Sequence, residues 1–202
     1  MTVGPLHATV LRMVVAARKL QRGVLTYKDL WHTPDDGNRY EIINGEVFVT
    51  PPPMTVHQRV IRNLVDVLQR HVSENDLGEI LWAPVGVVLE KPTGVQPDVL
   101  FVAKNRLSII QEKALFGAPD LVIEVLSSST AARDRGVKKD LYERAGVRYY
   151  WLIDPRKQSV HALCLQAGAS RLEVEHRGNA VFRPLLFPKL AIHLARVWVR
   201  SK

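Results

Sequence analysis

Hydrophobic and polar positions along this chain follow two periods, and the switches between them mark its elements. Residues 55–72 place Val56, Val60, Ile61, Leu64, Val65, Leu68 and Val72 at helical spacing. Arg59, Arg62, Asn63, Asp66 and Gln69 lie largely off that stripe, so the stretch predicts an amphipathic helix. Residues 39–50 read RYEIINGEVFVT, with Asn44-Gly45 at the centre, and predict a β-hairpin that Pro51-Pro52-Pro53 stops. Residues 79–90, EILWAPVGVVLE, predict one long strand, bulged at Pro84 or Gly86. Two apolar runs, 99–102 and 121–126, predict buried strands, with a connector and a short helix between them at 105–115.

Polar residues 127–130 open a predicted helix at 131–145, which Gly146 ends as a C-cap. Residues 148–154, RYYWLID, predict a buried strand closed by Asp154-Pro155, followed by a meander at 159–165 and 171–176. Thr26 N-caps a short helix before the turn cluster at 33–38. The expected fold class is α/β: a central mixed β-sheet flanked by helices, with an N-terminal β-hairpin and a C-terminal β extension. One domain is expected over residues 24–202. Residues 1–23 read as an arm: a short basic helix, a disordered segment, or sequence upstream of a true start at Met13.

Composition narrows the class. A chain of 202 residues, 47% hydrophobic and 24% charged, can bury a core of its own. The single Cys164 excludes an internal disulfide and a multi-cysteine zinc site, and fits a reducing, cytoplasmic compartment. No apolar run approaches the roughly 20 residues of a membrane span. The net charge of +8 favours a polyanionic partner, nucleic acid foremost. His57, His71, His161, His176 and His193 are scattered rather than spaced as zinc ligands. There is neither a GxxxxGK[ST] phosphate loop nor a Gly-x-Ser-x-Gly elbow.

The chemistry concentrates in residues 95–142. Each apolar run carries one acid: Asp98 at the start of the first, and Glu124 inside Leu-Val-Ile-Glu-Val-Leu. A buried carboxylate without a partner is costly, and a hard cation ligated by both acids would remove the cost. The order acid, acid in the next strand, then Lys138 on a basic helix supplies the parts of a metal-dependent phosphodiesterase. The backbone carbonyl of Val125 is a further candidate ligand.

The same residues resemble the PD-(D/E)XK nuclease superfamily, with its restriction-endonuclease-like fold, and within it the Uma-type restriction-endonuclease branch. Carrying the resemblance are residues 40–46 (YEIINGE), His57-Gln58, Ala83-Pro84-Val85, Val95-Gln96-Pro97-Asp98, residues 119–127 (PDLVIEVLS), Asp134 through Lys138 to Tyr142, Ala145-Gly146-Val147 and residues 150–155 (YWLIDP). The likeness spans residues 25–194.

It implies a Mg²⁺-dependent DNA endonuclease, with Mn²⁺ as a substitute; a homodimer is expected because double-strand cutters need two sites and exposed strand edges offer a contact. Asp98 and Glu124 would be the metal-binding acids. The superfamily's lysine two positions after the second acid is replaced by Leu126, and Lys138 on the following helix takes its part. Lys139 is not expected to, because Lys138 and Tyr142, four apart, share a helix face. Glu41 is the further catalytic candidate, and Glu46 across the hairpin is expected to face solvent. Gln96, His57 and Tyr142 are candidates for substrate contact, His57 with capping or packing as its other role. Gly86, Tyr149 and Ser128 depart from the branch pattern without touching this set. The alternative from another class is a non-catalytic nucleic-acid-binding or assembly protein that keeps the nuclease fold.

Overall fold

The computed structural model describes residues 25–90, 92–165 and 171–198, and the expected arm at 1–23 lies outside them. The hairpin forms as β1 (Arg39–Ile43) and β2 (Glu46–Thr50). Asn44 and Gly45 at its tip both take positive φ, 52° and 80°, the demand that favours an Asn-Gly pair. A 20-residue helix follows, α1 (Thr55–Glu74). Next come β3 (Gly78–Trp82), β4 (Val87–Val88), β5 (Gly94–Val95), β6 (Val99–Ala103), β7 (Leu115–Phe116) and β8 (Leu121–Val125). A second helix, α2, spans residues 131–144: one α turn, a π turn over Asp134–Lys138, and a closing α segment, Lys139–Arg144. The chain continues through β9 (Tyr149–Asp154), β10 (Ser159–Cys164), β11 (Arg171–Arg177), β12 (Val181–Phe182) and β13 (Ile192–His193).

These strands make two main sheets and a small β12–β13 ribbon. The larger sheet runs β11-β10-β9-β8-β6-β3 and is antiparallel except where β8 pairs with β9. The smaller runs β2-β1-β5-β4-β7.

Alternation along the large sheet divides the core in two. Val99, Phe101, Leu121, Ile123, Trp151 and Ile153 face one side, where Val60, Ile61, Leu64, Leu68 and Val72 of α1 cover them with Phe182 and Phe187 of the C-terminal extension. Leu100, Val102, Val122, Tyr150 and Leu152 face the other side, against Leu141 and Tyr142 of α2 and Ile43, Val87 and Val95 of the small sheet. Period 2 in the strands and 3.6 in α1 put every one of these side chains on its apolar face. Truncating one of them, such as Leu68, costs about 2–5 kcal/mol.

The long strand expected at 79–90 is two strands in two sheets. β3 ends at Trp82, where Ala83 N–H still bonds to the Asp98 carbonyl at 3.0 Å, and Pro84, with no N–H, cannot continue the ladder. The chain then crosses to the smaller sheet as β4. The connector at 105–115 is a 3₁₀ helix, Lys104–Ile109, that leads to β7.

Candidate active site

Register and pleat bring the two acids together. β6 and β8 are antiparallel with Val99 opposite Ile123, and one further step sets Asp98 opposite Glu124. Both follow the parity of Leu100 and Val122, so both project toward α2 and the small sheet. Like charges directly opposite on adjacent strands repel, so such a pair needs a positive partner. Both residues are buried, as are Glu41, Asp134 and Lys138.

Lys138 is the hub. Its Nζ donates to Glu41 Oε1 at 2.9 Å and lies 2.5 Å from Glu124 Oε1, with Asp134 Oδ1 at 4.0 Å. Tyr142 donates its hydroxyl to the same Glu124 Oε1 at 2.9 Å. The π turn explains the alignment. Four residues of α-helix overshoot a full turn by about 40°, so a column at i, i+4 and i+8 drifts sideways. The wider π turn undershoots and cancels the drift, and Asp134, Lys138 and Tyr142 all point inward. Lys139 leaves this column and pairs with Glu143 at 3.2 Å.

Asp98 is held from three directions. Arg39 Nη1 donates to its Oδ1 at 2.7 Å, Val125 N–H donates to its Oδ2 at 2.8 Å, and His57 Nε2 lies 3.2 Å from that same oxygen. His57 Nε2 also lies 2.8 Å from the Val125 carbonyl, which only accepts, so this nitrogen carries the hydrogen. Thus His57 neither caps α1 nor merely packs, and the Val125 oxygen already has a protein donor. Gln96 N–H donates to Glu41 Oε1 at 2.9 Å. Glu41 Oε2 makes no hydrogen bond, and its nearest charge is Arg133 Nη2 at 3.4 Å. Arg133 in turn donates to Thr50 at 2.7 Å. Glu46 is exposed.

The electrostatics follow from burial and charge count. Four acids, Glu41, Asp98, Glu124 and Asp134, face three permanent cations, Arg39, Arg133 and Lys138. Burial opposes ionisation of Asp98, but the His57 hydrogen bond and the Arg39 guanidinium outweigh it and hold the carboxyl at about 2. Burial is also opposed at Glu41, where Lys138 and Arg39 bring the carboxyl below its ordinary range. Burial wins at Glu124: despite Lys138, desolvation and the neighbouring Asp98 and Asp134 push its pKa up to about 8. Lys138 remains protonated because Glu124, Glu41 and Asp134 outweigh its own burial. The excess of one acid over the cations therefore falls hardest on Glu124, whose ionisation burial and its acidic neighbours hold back.

An open cleft of about 580 Å³ reaches this cluster from the surface. Asp98, Arg39, His57 and Gln96 line it, between the loop at 51–54 and the loop at 127–130. Glu124, Glu41 and Lys138 stand behind Asp98 rather than on the cleft wall. The sequence pointed to no role for Arg39 or Arg133, and Asp134 stood out only as the start of the run through Lys138 to Tyr142. A signal existed for Arg39, which is two residues from Glu41 and so on the same strand face.

A sequence profile described as "Putative restriction endonuclease" matches residues 26–195. The chain belongs to this Uma2 family. Among solved structures, a "putative nuclease" from Anabaena variabilis ATCC 29413 superposes with a TM-score of 0.71 at 18% identity, covering 86% of this chain and 97% of that one. At that identity the likeness shows the fold, which is α/β and restriction-endonuclease-like, as in the expected class. No curated protein matches the chain. Among the described residues, no helix is long and apolar enough to cross a membrane.

Whether the Uma2 site suits a divalent cation turns on its donors. Carboxylate and carbonyl oxygens are what a hard cation takes, and a cluster one negative charge in excess fits one electrostatically. In this arrangement, however, Arg39, His57 and Lys138 satisfy the carboxylates, and no three His, Cys, Asp or Glu side chains among the described residues close on one point. The residue types and charge balance fit; ligation would draw the acids off their protein partners.

Proposed function

We propose that this Uma2 protein is a Mg²⁺-dependent endodeoxyribonuclease, with Mn²⁺ able to substitute. The observation that carries the reading is Asp98 set opposite Glu124 on one sheet face, with Lys138 joined to Glu124 behind it and Asp98 itself reached by a cleft from the surface. Asp98 and Glu124 would hold the cation, with the Val125 carbonyl beside them. A bound cation would supply a Lewis acid for the scissile phosphate and a more acidic water.

The remaining roles belong to the chain. Glu124, whose ionisation burial holds back, would hold the cation as the carboxylate, its proton lost to solvent. Lys138 would keep its charge throughout and offset the negative charge that grows on phosphate oxygens. Glu41 fixes Lys138 and, through Gln96 N–H, ties the hairpin to the chain entering β6. Tyr142 orients the Glu124 carboxylate. Arg39 and His57 hold Asp98 at the cleft floor, where a phosphate would meet them. Cutting both strands of a duplex calls for two sites, which is the reason to expect a homodimer.

The protein cations already seated on each carboxylate favour a second reading, a non-catalytic nucleic-acid-binding or assembly protein. Incubating the protein with DNA and Mg²⁺ or Mn²⁺, beside Asp98→Ala, separates the two. Cleavage that depends on metal and on Asp98 supports the nuclease. DNA binding without cleavage in either metal supports the second reading.

A further inference from the structure

The two oxygens of Asp98 are held unequally. Oδ2 accepts the Val125 N–H at 2.8 Å and lies 3.2 Å from His57 Nε2. Oδ1 has one donor among the described residues, Arg39 Nη1 at 2.7 Å. A backbone group of β8 therefore pins the first oxygen, and the second depends on a single side chain.

That side chain is lightly fastened for a cation in such a place. Nη1 makes its one side-chain hydrogen bond among the described residues, and the buried Nε makes none. Burial weighs against its charge, which Asp98, Glu41 and Glu124 together sustain. Arg39 thus serves some of the same acids as Lys138, but the two differ in access. Lys138 is wholly enclosed between Glu41 and Glu124. Arg39 opens β1, keeps 18% of its side-chain exposure and lines the cleft beside Asp98. A cleft of about 580 Å³ gives a guanidinium room to turn.

A divalent cation and a guanidinium on one carboxylate repel each other strongly at such distances. Of the groups around Asp98, Arg39 is the charged one with a way out. Once turned away it needs a new partner, because an unpaired charge in a half-buried wall is costly. Its planar fork of N–H donors matches two oxygens of a phosphate, which a lysine ammonium does not.

We propose that Arg39 is a stand-in cation that changes partners: it neutralises Asp98 before metal binds, yields Oδ1 when a divalent cation is taken up, and turns into the cleft to clasp a phosphate of the DNA. This rests on the nuclease reading and adds a substrate-binding residue to it. Arg39 and the metal are rivals at Asp98, whereas Lys138 stays in place throughout.

The test is calorimetric titration with Mn²⁺, without DNA, of wild type, Arg39→Gln and Arg39→Lys, each checked for folding by circular dichroism. Arg39→Gln removes the rival charge and should bind Mn²⁺ about tenfold or more tighter than wild type. Arg39→Lys keeps the charge and should stay within about threefold of wild type. In Mn²⁺-dependent cleavage, Arg39→Gln should raise the KM for duplex DNA about tenfold. A residue that merely held Asp98 in position would give the opposite result with metal, weaker binding when it is lost. Equal or weaker Mn²⁺ binding by folded Arg39→Gln, or an unchanged KM, overturns the inference and leaves the nuclease reading standing. Should Arg39→Gln fail to fold, nitrogen NMR of the arginine side chains in wild type carries the test. The Arg39 resonance, assigned by its loss in Arg39→Lys, should move on adding Mg²⁺, and a resonance that stays put overturns the inference. If wild type neither binds Mn²⁺ nor cuts DNA, both fall together.

Discussion

Lys138 and Glu41 lie 97 residues apart in sequence and 2.9 Å apart in the protein, both wholly buried. Removing one partner from a buried ion pair strands the other, which costs about 3–5 kcal/mol. Lys138→Met should therefore destabilise the protein by roughly that amount in urea unfolding, and adding Glu41→Gln should recover part of the loss. A Lys138→Met variant as stable as wild type would mean that Lys138 does not hold the cluster together.

Two adjacent lysines should behave differently in catalysis. Lys138→Ala is expected to lower the single-turnover cleavage rate by about 10²-fold or more, the range seen when a transition-state donor is lost. Lys139→Ala, which loses pairs with Glu143 and Asp140 outside the cluster, should cleave at the wild-type rate. Equal effects would place the functional lysine elsewhere.

Metal binding should depend on the opposed acids. Calorimetric titration with Mn²⁺ is expected to give a signal for wild type and none for Asp98→Ala combined with Glu124→Ala. Retained binding in the double variant would move the metal away from these carboxylates.

The proton on Glu124 has a signature in stability. Its pKa is about 8 folded, against an ordinary value of 4.5 unfolded. Between those values the folded state binds the extra proton, so this group's contribution falls as pH rises from 4.5 to 8. Asp98 acts in the opposite sense and lower down: held near 2, it contributes stability above 3.8 that is lost as pH falls toward 2. Without added metal, denaturant midpoints should decline from pH 5 to pH 8 by the equivalent of roughly 1–4 kcal/mol. Glu124→Gln, which mimics the protonated acid, should flatten that decline. A decline unchanged in the variant would assign it to other groups.

Much of this architecture was legible in the sequence because its elements keep their periods cleanly. Asn44-Gly45 marked the hairpin, the stripe from Val56 to Val72 marked α1, and an acid inside Leu-Val-Ile-Glu-Val-Leu announced Glu124 as out of place. The split of residues 79–90 was hidden because both halves are apolar and extended, and only the sheet each one joins tells them apart. The roles of Arg39, Arg133 and Asp134 were hidden for another reason. Charged residues at the ends of strands and in a basic helix look solvated until the small sheet is laid over the large one. His57 sat at a helix start, where capping is the ordinary role; the contact it makes, to Asp98 and the Val125 carbonyl, lies 68 residues further along the chain in the latter case.

The wide turn in α2 has a consequence for how such a site can change over time. A lysine on a strand can move only in steps of two without leaving its face, and each step disturbs a ladder. A helix that absorbs one surplus residue rotates everything beyond it while its ends stay docked. Carrying the cation on α2 frees position 126 to be leucine and join the core, and it separates the charge of the site from the strand that bears its acids. Lengthening or shortening that single turn would re-aim Lys138 and Tyr142 together, so one residue's worth of chain is a switch between a wired and an unwired cluster on an unaltered scaffold.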